Sequence, residues 1–339
     1  MTTQWVGIDV AAATLSVAIR NQTSKTSIYV GEFANDETGF KQMATVLKPH
    51  LAEAAVNLVV EPTGGYELRL LSFAYGQEWG IVLPNPKQVR DFAKGNGRRN
   101  KTDRADAHML ADYGTEKQPE TQQLLPPELV ELDELVQRRL QLEKQRRAEA
   151  SRLKQWQQRP DPSIIVTSSM QRLIDHLDQE LSTVNDALKQ WLTQHPQHHS
   201  MVKHLRTVPG IGSKNVLPLF LILHRFRVRT NGQGSSKSLV AFIGLDPTHF
   251  SSGSSIYKRP TISKMGDSDV RHFLYMGALG GVRGQNPLRH FYQRLVARGK
   301  AKRLALVASA RKILTWAFAI FSQDVDFDPS RFPVPQNAS

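Results

Sequence analysis

Apolar residues in the first 85 positions alternate between two spacings. Residues 5–10 (Trp-Val-Gly-Ile-Asp-Val) form a short apolar run, residues 14–20 a second after a tight turn, and residues 27–33 a third. Runs of this length bounded by turn residues predict strands. Helical spacing follows over residues 38–47, then a buried-strand pattern over 56–60, a helix over 66–76 and a short strand over 80–83.

Three strands, a helix, a strand, a helix and a strand suit a ribonuclease-H-like α/β fold. An actin-like sugar-kinase core also opens on Gly-Ile-Asp, but the glycine-rich phosphate loops of that fold are missing here. The expected fold class is therefore α/β plus α, with an RNase H-like domain over residues 1–125.

From residue 126 to residue 200 the pattern is helical throughout. Residues 128–156 are highly charged and favour helix, and Arg159-Pro-Asp-Pro162 breaks it. Met170, Ile174, Leu177, Leu181, Val184, Leu188 and Trp191 then recur at spacings of four and three. Such a heptad seam predicts a coiled-coil helical hairpin, closed within one chain or between copies in a dimer or tetramer.

Residues 201–323 form a third, mainly helical region. It contains Val208-Pro-Gly-Ile-Gly212, the glycine turn of helix-hairpin-helix elements, which a plain helix-turn-helix packing unit would also show. Residues 231–236 read as a flexible loop, and residues 324–339, with three prolines, as a flexible tail.

Composition narrows the function. With 339 residues the chain has room for two or three domains. It has no cysteine, which excludes disulfides and Cys-ligated zinc and fits a reducing compartment. The N-terminus shows no secretory pattern, and no apolar run approaches the roughly 18 residues of a membrane span. The expectation is a soluble cytoplasmic protein without membrane contact. The formal charge is +13, which favours a polyanionic partner. The charge is also clustered. Residues 258–312 carry thirteen Lys/Arg against Asp267 and Asp269, and residues 87–104 carry seven against two acids. Phosphate binding explains this clustering better than solubility does.

Four carboxylates carry the candidate chemistry. Asp9 lies within the first apolar run and Glu61 ends the run at 56–60, while Asp103 and Asp106 open a helix at i, i+3. An ionised acid among buried apolar residues is costly unless it is paired or bound to metal. Two acids at strand ends and two on a helix face can meet in space. They could hold a pair of Mg²⁺ ions, or Mn²⁺ in their place, against a phosphodiester. Asp103 and Asp106 alone would be ordinary helix-start acids, but Arg98, Arg99, Lys101 and Arg104 surround them as candidate phosphate ligands.

A second cluster is Ser251-Ser-Gly-Ser-Ser-Ile-Tyr-Lys-Arg259. Its basic neighbours are Lys258, Arg259, Lys264 and Arg271. A serine attacking a phosphodiester needs its proton removed and the phosphate charge neutralised. Tyr257 is a rival nucleophile, although packing accounts for it more simply. His195, His198 and His199 read as a solvated loop cluster without metal-ligand spacing. The basic stretch 289–303, interleaved with Phe291 and Tyr292, reads as a nucleic-acid-facing surface.

These residues also form a pattern. Gly7-Ile-Asp-Val10, Glu61-Pro-Thr-Gly-Gly-Tyr66, Asn85-Pro86 and Lys101-Thr-Asp-Arg-Ala-Asp-Ala107 resemble the N-terminal signature of insertion-sequence family 110 transposases. Pro209-Gly-Ile-Gly212, Ser252-Gly253, Ile262-Ser-Lys-Met-Gly266, Arg289-His-Phe-Tyr292 and Arg311-Lys312 resemble its C-terminal half. The resemblance spans nearly the whole chain, in order. It implies a RuvC-like DEDD domain over 1–125, a coiled coil over 126–200 and a transposase domain over 201–323. By position the DEDD set falls on Asp9, Glu61, Asp103 and Asp106. The nucleophilic serine falls on Ser252, with Ser251 and Ser254 as neighbouring registers. Asp267 stands where Asn is usual. The resemblance further implies a Mg²⁺-dependent recombinase acting on donor and target DNA, guided by a non-coding bridge RNA and associated with the nucleoid. A hydrolytic DEDD endonuclease or junction resolvase, with no covalent intermediate, is the alternative.

Overall fold

The structure is a computed structural model that describes residues 3–21, 23–51, 54–97, 102–248, 251–252, 256–257 and 261–331. Chain packing divides it into two units. One comprises Met1–Leu124 with Val228–Gly232, the other Leu125–Arg227 with Gln233–Ser339.

The first unit is built on a five-stranded sheet. Its strands are β1 (Thr3–Val10), β2 (Thr14–Asn21), β3 (Ile28–Ala34), β4 (Ala55–Val60) and β5 (Gly80–Val82), in the order β3-β2-β1-β4-β5. β1 pairs antiparallel with β2 and β2 with β3, whereas β4 runs parallel to β1 and β5 parallel to β4. Four helices accompany the sheet: α1 (Glu37–Leu51), α2 (Leu68–Gly76), α3 (Pro86–Gly95) and α4 (Asp103–Lys117). The strands and helices expected from the sequence are present, with boundaries shifted by a few residues.

Strand alternation sorts the two faces. Val6, Ile8, Val10, Leu58 and Val60 point into a core with Phe40, Met43, Leu47, Leu70 and Leu71 of α1 and α2. Each fully buried aliphatic side chain there contributes about 1.5–3 kcal/mol. Trp5 and Val59 point to the other face and pack with Met109, Leu110 and Tyr113 of α4. Between them is Gly7, where a Cβ would stand 2.2 Å from the carbonyl oxygen of Ala107 and from the amide nitrogen of Ala111. Glycine therefore lets α4 lie directly on β1.

The second unit is helical. α5 (Pro127–Trp156) and α6 (Ile164–Gln194) are long helices joined by a short turn, and an Arg146–Asp178 ion pair ties them together. The heptad seam is the inner stripe of α6: Ile174, Leu177, Leu188 and Trp191 are buried and Met170, Leu181 and Val184 partly so. α7 (Pro196–Arg206), α8 (Val216–Arg229), α9 (Ser236–Ile243), α10 (Ser268–Gly281), α11 (Pro287–Ala297) and α12 (Lys302–Gln323) follow. A nested hairpin of β6 (Pro247–Thr248) with β9 (Thr261–Ile262) and β7 (Ser251–Ser252) with β8 (Ile256–Tyr257) separates α9 from α10. One large core joins Leu129, Leu132 and Val136 of α5 to Leu188 and Trp191 of α6 and to the apolar faces of α8, α9 and α12.

Several expectations need correction. α12 is long and apolar enough to cross a membrane by length and composition, contrary to the reading that no run approaches that size. Here its Ile313, Leu314, Trp316 and Ala317 are buried in the helical core. Residues 231–235 form the expected loop, and it is anchored at both ends. Asn231 Nδ2 donates to the Thr121 carbonyl at 3.1 Å, and Ser235 and Ser238 form a capping box at the start of α9. The first half of the expected tail is docked: Phe327 is buried against Trp316, and its N–H donates to Thr207 Oγ1 at 2.8 Å. Residues 332–339 lie outside the described residues.

The histidines are not a solvated loop either. His195 stacks on Trp191 at 4.1 Å between ring centroids, and His198 stacks on the same indole at 5.5 Å. His224 packs edge-on to His198, Phe220 and Phe321. Burial first, then the neighbouring His198 and Arg227, depresses the His224 pKa to about 4. Burial also lowers that of His198.

Candidate functional site

The sheet register brings the acidic residues to one end of the first unit. β1 and β4 are adjacent and parallel, and Ile8 is opposite Val60. Asp9 and Glu61 therefore sit side by side at the carboxyl ends of their strands. Asp9 shares the face of Trp5 and Gly7, and Glu61 that of Val59, so both belong to the α4 side.

α4 runs antiparallel to β1: Gly114 lies over Trp5 and Val59, and Ala107 and Ala111 over Gly7. One turn nearer its start are Asp103 and Asp106, in register with Ala107 and Leu110 at i, i+4. The first turn of α4 thus arrives over the Asp9 end of the strand. Thr102 caps the helix, its hydroxyl accepting from Ala105 N at 3.2 Å. Asp103 is exposed, whereas Asp9, Glu61 and Asp106 are half-buried.

All four donors are hard carboxylate oxygens, the ligand type suited to Mg²⁺. Among the described residues, no three His, Asp or Glu side chains stand close enough to hold a single ion. The carboxylates converge on one end of one face without closing around a common point.

Two polar residues that sequence reasoning passed over bind the loops carrying these acids. Asn35 Nδ2 donates to the Ala11 carbonyl at 2.9 Å and to the Tyr66 carbonyl at 3.0 Å. Glu67 is buried, and its Oε2 accepts from Thr63 N at 3.1 Å and from Gly65 N at 3.0 Å. The turn that it fastens holds Gly64 and Gly65 at φ +74° and +110°, left-handed backbone that glycine supplies. Asn35 is hidden in the sequence because its neighbour Asp36 makes the ordinary helix-start bond, accepting from Gly39 N.

The candidate phosphate ligands divide. Arg98, Arg99, Lys101, Lys258 and Arg259 lie outside the described residues. Arg104 is exposed, with its guanidinium 4.6 Å from the centre of the Tyr29 ring. Lys264 is exposed on a left-handed residue, φ +56°, after β9. Arg271 is a brace: its Nη1 donates to the Ile243 and Gly266 carbonyls at 3.0 and 2.6 Å. Asp267 caps α10, accepting from Asp269 N and Val270 N. The Pro209-Gly-Ile-Gly212 turn also bonds internally, since Gly212 N donates to Asn215 Oδ1 at 2.6 Å. Beside α4, on its β2 side, is a cleft of about 700 Å³ lined by Arg20, Ser27, Asn96, His108 and Asp112, separate from the four acids.

Ser252 belongs to the second unit. It ends β7, opposite Ile256, and leads into the Gly253–Ser255 stretch outside the described residues. Further along the same unit, no Asp or Glu occurs between residues 270 and 323. Arg283, Arg294, Arg298, Lys300, Lys302, Arg303 and Arg311 are all exposed in that stretch. Arg294 and Arg298 lie one turn apart along α11 and its cap. Among the described residues, no carboxylate pairs with any of these cations.

Comparison with known proteins places this arrangement. Residues 6–158 match the IS110-type DEDD family described as "Transposase", and residues 202–293 match the "Transposase IS116/IS110/IS902 family". The chain is 28% identical over 334 residues to the "Pilin gene-inverting protein" of Moraxella lacunata, covering 97% of this chain and 98% of that one. It is 29% identical over 335 residues to the protein of the same name in Moraxella bovis, with the same coverage. A 174-residue stretch is 26% identical to the "Insertion element IS110 uncharacterized 43.6 kDa protein" of Streptomyces coelicolor (strain ATCC BAA-471 / A3(2) / M145), covering 49% of this chain and 40% of that one.

An α/β unit with acids at its strand ends, followed by a helical unit rich in exposed cations, matches a DNA-acting enzyme of the transposase class. The two family matches occur in chain order and together span most of its length: the chain belongs to the IS110 family of transposases.

Proposed function

We propose that this transposase is a recombinase that cuts DNA by serine attack and rejoins the ends to new partners. Asp9, Glu61, Asp103 and Asp106 form its acidic half-site and Ser252 its nucleophile. The observation carrying this reading is the arrival of the first turn of α4 at the carboxyl ends of β1 and β4. An RNase H-like reading of the first unit is supported by the sheet order β3-β2-β1-β4-β5, and a coiled-coil reading of the α5–α6 hairpin by its heptad seam.

In this reading Ser252 Oγ attacks the scissile phosphorus, its proton passes to a base, and the displaced deoxyribose oxygen leaves. The phosphoserine ester keeps the energy of the broken bond, so rejoining reverses the step with a different sugar hydroxyl and needs no ATP. Mg²⁺ at the carboxylates would neutralise charge on the phosphate. Arg294, Arg298 and their neighbours hold the DNA backbone, a sequence-independent contact.

The target sites are selected by a non-coding guide RNA, which accounts for a basic chain without a recognisable groove-reading module. The enzyme works at the nucleoid, as a dimer or tetramer. By analogy with the names of its Moraxella relatives, inversion of a DNA segment is the expected outcome.

The test is adduct formation on labelled DNA in the presence of Mg²⁺. A covalent protein–DNA species that disappears in Ser252→Ala, and in Asp103→Ala with DNA binding retained, is the expected result. An adduct that persists in Ser252→Ala refutes that nucleophile. Cleavage without any adduct points instead to a hydrolytic endonuclease.

A further inference from the structure

The two strand ends that carry Asp9 and Glu61 leave the sheet in different directions. Past Val10 the chain turns into β2, with Ala11 N donating to the Thr14 carbonyl at 2.9 Å. Past Glu61 it enters the Pro62–Tyr66 turn towards α2. A hydrogen-bonded ladder fixes neighbouring strands only as far as it runs, and here the last paired residues are Ile8 and Val60. Asp9 and Glu61 are each one residue beyond that pair.

Asn35, at the end of β3, supplies the missing cross-link. Its single amide nitrogen donates both protons, one to the carbonyl of Ala11, two residues after Asp9, and one to that of Tyr66, five residues after Glu61. Its backbone N–H donates to the Ala13 carbonyl at 2.9 Å, anchoring the side chain to the β1–β2 turn. Two carbonyl acceptors identify the bridging atom as nitrogen rather than oxygen. Among the described residues the buried Oδ1 has no hydrogen-bond partner, so the amide faces this way at the expense of its oxygen.

Glu67 fixes the other side. Its carboxylate fills the nest formed by the amides of Thr63 and Gly65, so the turn cannot swing away from the end of β4. The buried Glu67 carboxylate is held here by two backbone donors.

We propose that Asn35 and Glu67 are positioning residues that set the separation of Asp9 and Glu61, and so the affinity of the acidic half-site for a divalent cation. Asn35 ties the two exit loops together, and Glu67 stiffens the loop that follows Glu61. This rests on the proposed role of the acids as metal ligands. Outer residues that orient ligands typically change metal affinity or activity about 10- to 100-fold when removed.

The test is Mn²⁺ binding by the full chain, followed by the free-ion electron paramagnetic resonance signal, together with the Mg²⁺ dependence of strand cleavage. Asn35→Ala and Glu67→Ala should weaken Mn²⁺ binding about 10-fold or more. Cleavage should recover substantially at high Mg²⁺. Asn35→Asp, which keeps the volume and removes both N–H donors, should behave as Asn35→Ala does. Glu67→Gln keeps an oxygen acceptor for the turn and should restore near-normal binding, which a loss of general stability would not explain. Melting temperatures confirm that each variant compared is folded.

Asp9→Ala is the control that separates the two ideas. If it loses the ion while the folded Asn35 and Glu67 variants keep normal affinity and Mg²⁺ dependence, the clamp is overturned and the acidic site stands. If Asp9→Ala binds Mn²⁺ as the unchanged chain does, the acidic site fails and the clamp's purpose fails with it.

Discussion

Gly7 and Ala111 meet backbone to backbone: a Cβ on Gly7 would stand 2.2 Å from the Ala111 amide nitrogen. The helix bearing Asp103 and Asp106 is therefore placed by the absence of a side chain on the strand bearing Asp9. Gly7→Ala must push α4 off the sheet, because the opposing atoms are backbone and cannot rotate away. We expect a loss of about 1–3 kcal/mol, read by thermal unfolding. Strand cleavage should fall further than stability does. A variant that unfolds and cleaves like the parent would show that α4 can shift without consequence.

Asp112 is buried on α4, with its carboxylate 2.9 Å from Arg20 of β2, which also reaches Glu116 at 3.2 Å. Arg20→Ala leaves that carboxylate without its guanidinium. The expected loss is about 3 kcal/mol, the lower end for breaking a buried pair, because Glu116 opens the site towards solvent. The double change Arg20→Met with Asp112→Leu should regain most of it. Urea unfolding of the three chains measures this directly. Equal stability of single and double variants would refute the coupling.

The His224 pKa of about 4 makes acid stability predictable in sign. Above pH 6.5 the imidazole is neutral both folded and unfolded, and its full contribution to stability is present. As pH falls from 6.5 towards 4 the unfolded chain takes up a proton that the folded chain refuses, so stability declines. At ~1.4 kcal/mol per pH unit the total is on the order of 3 kcal/mol. In His224→Leu the fall in melting temperature between pH 6.5 and pH 4 should be smaller by that contribution. An unchanged acid slope in the variant would mean that His224 is not held neutral.

Arg294 and Arg298 are exposed on an acid-free stretch. If each meets one phosphate, the slope of log affinity against log salt changes by about 0.9 per residue removed. The pair Arg294→Ala and Arg298→Ala should flatten that slope by about two on unrelated duplexes of equal length, with the fold unaffected. Fluorescence anisotropy across a salt series reads this, and an unaltered slope would place the DNA elsewhere.

Much of the first unit was visible in the sequence because its strands are short apolar runs set off by turns, and period-2 alternation assigns Trp5 and Ile8 to opposite faces. The α6 seam was visible for the same kind of reason: Ile174, Leu177, Leu188 and Trp191 repeat at fixed intervals. What pattern could not show was pairing at long range. Arg20 and Asp112 are separated by 92 positions, and nothing local marks Asp112, in the middle of a helix, as buried. Asn35 stands behind an ordinary helix cap, and His195 and His198 flank Pro196 in a stretch that reads as polar until Trp191 folds beneath it. Asp9 and Glu61 were legible from their apolar settings, and Asp103 and Asp106 from their basic neighbours. Their distances were not, since those depend on how closely α4 approaches Gly7.

The α5–α6 hairpin carries one more implication. Its stripe repeats every seven residues, and each repeat advances the helix by about 10 Å. Lengthening or shortening the arm by one or two residues would rotate Ile174 or Leu188 out of the seam. Within this fold the reach of the arm thus changes in whole-repeat steps matched in both helices, like a telescoping rod with fixed stops.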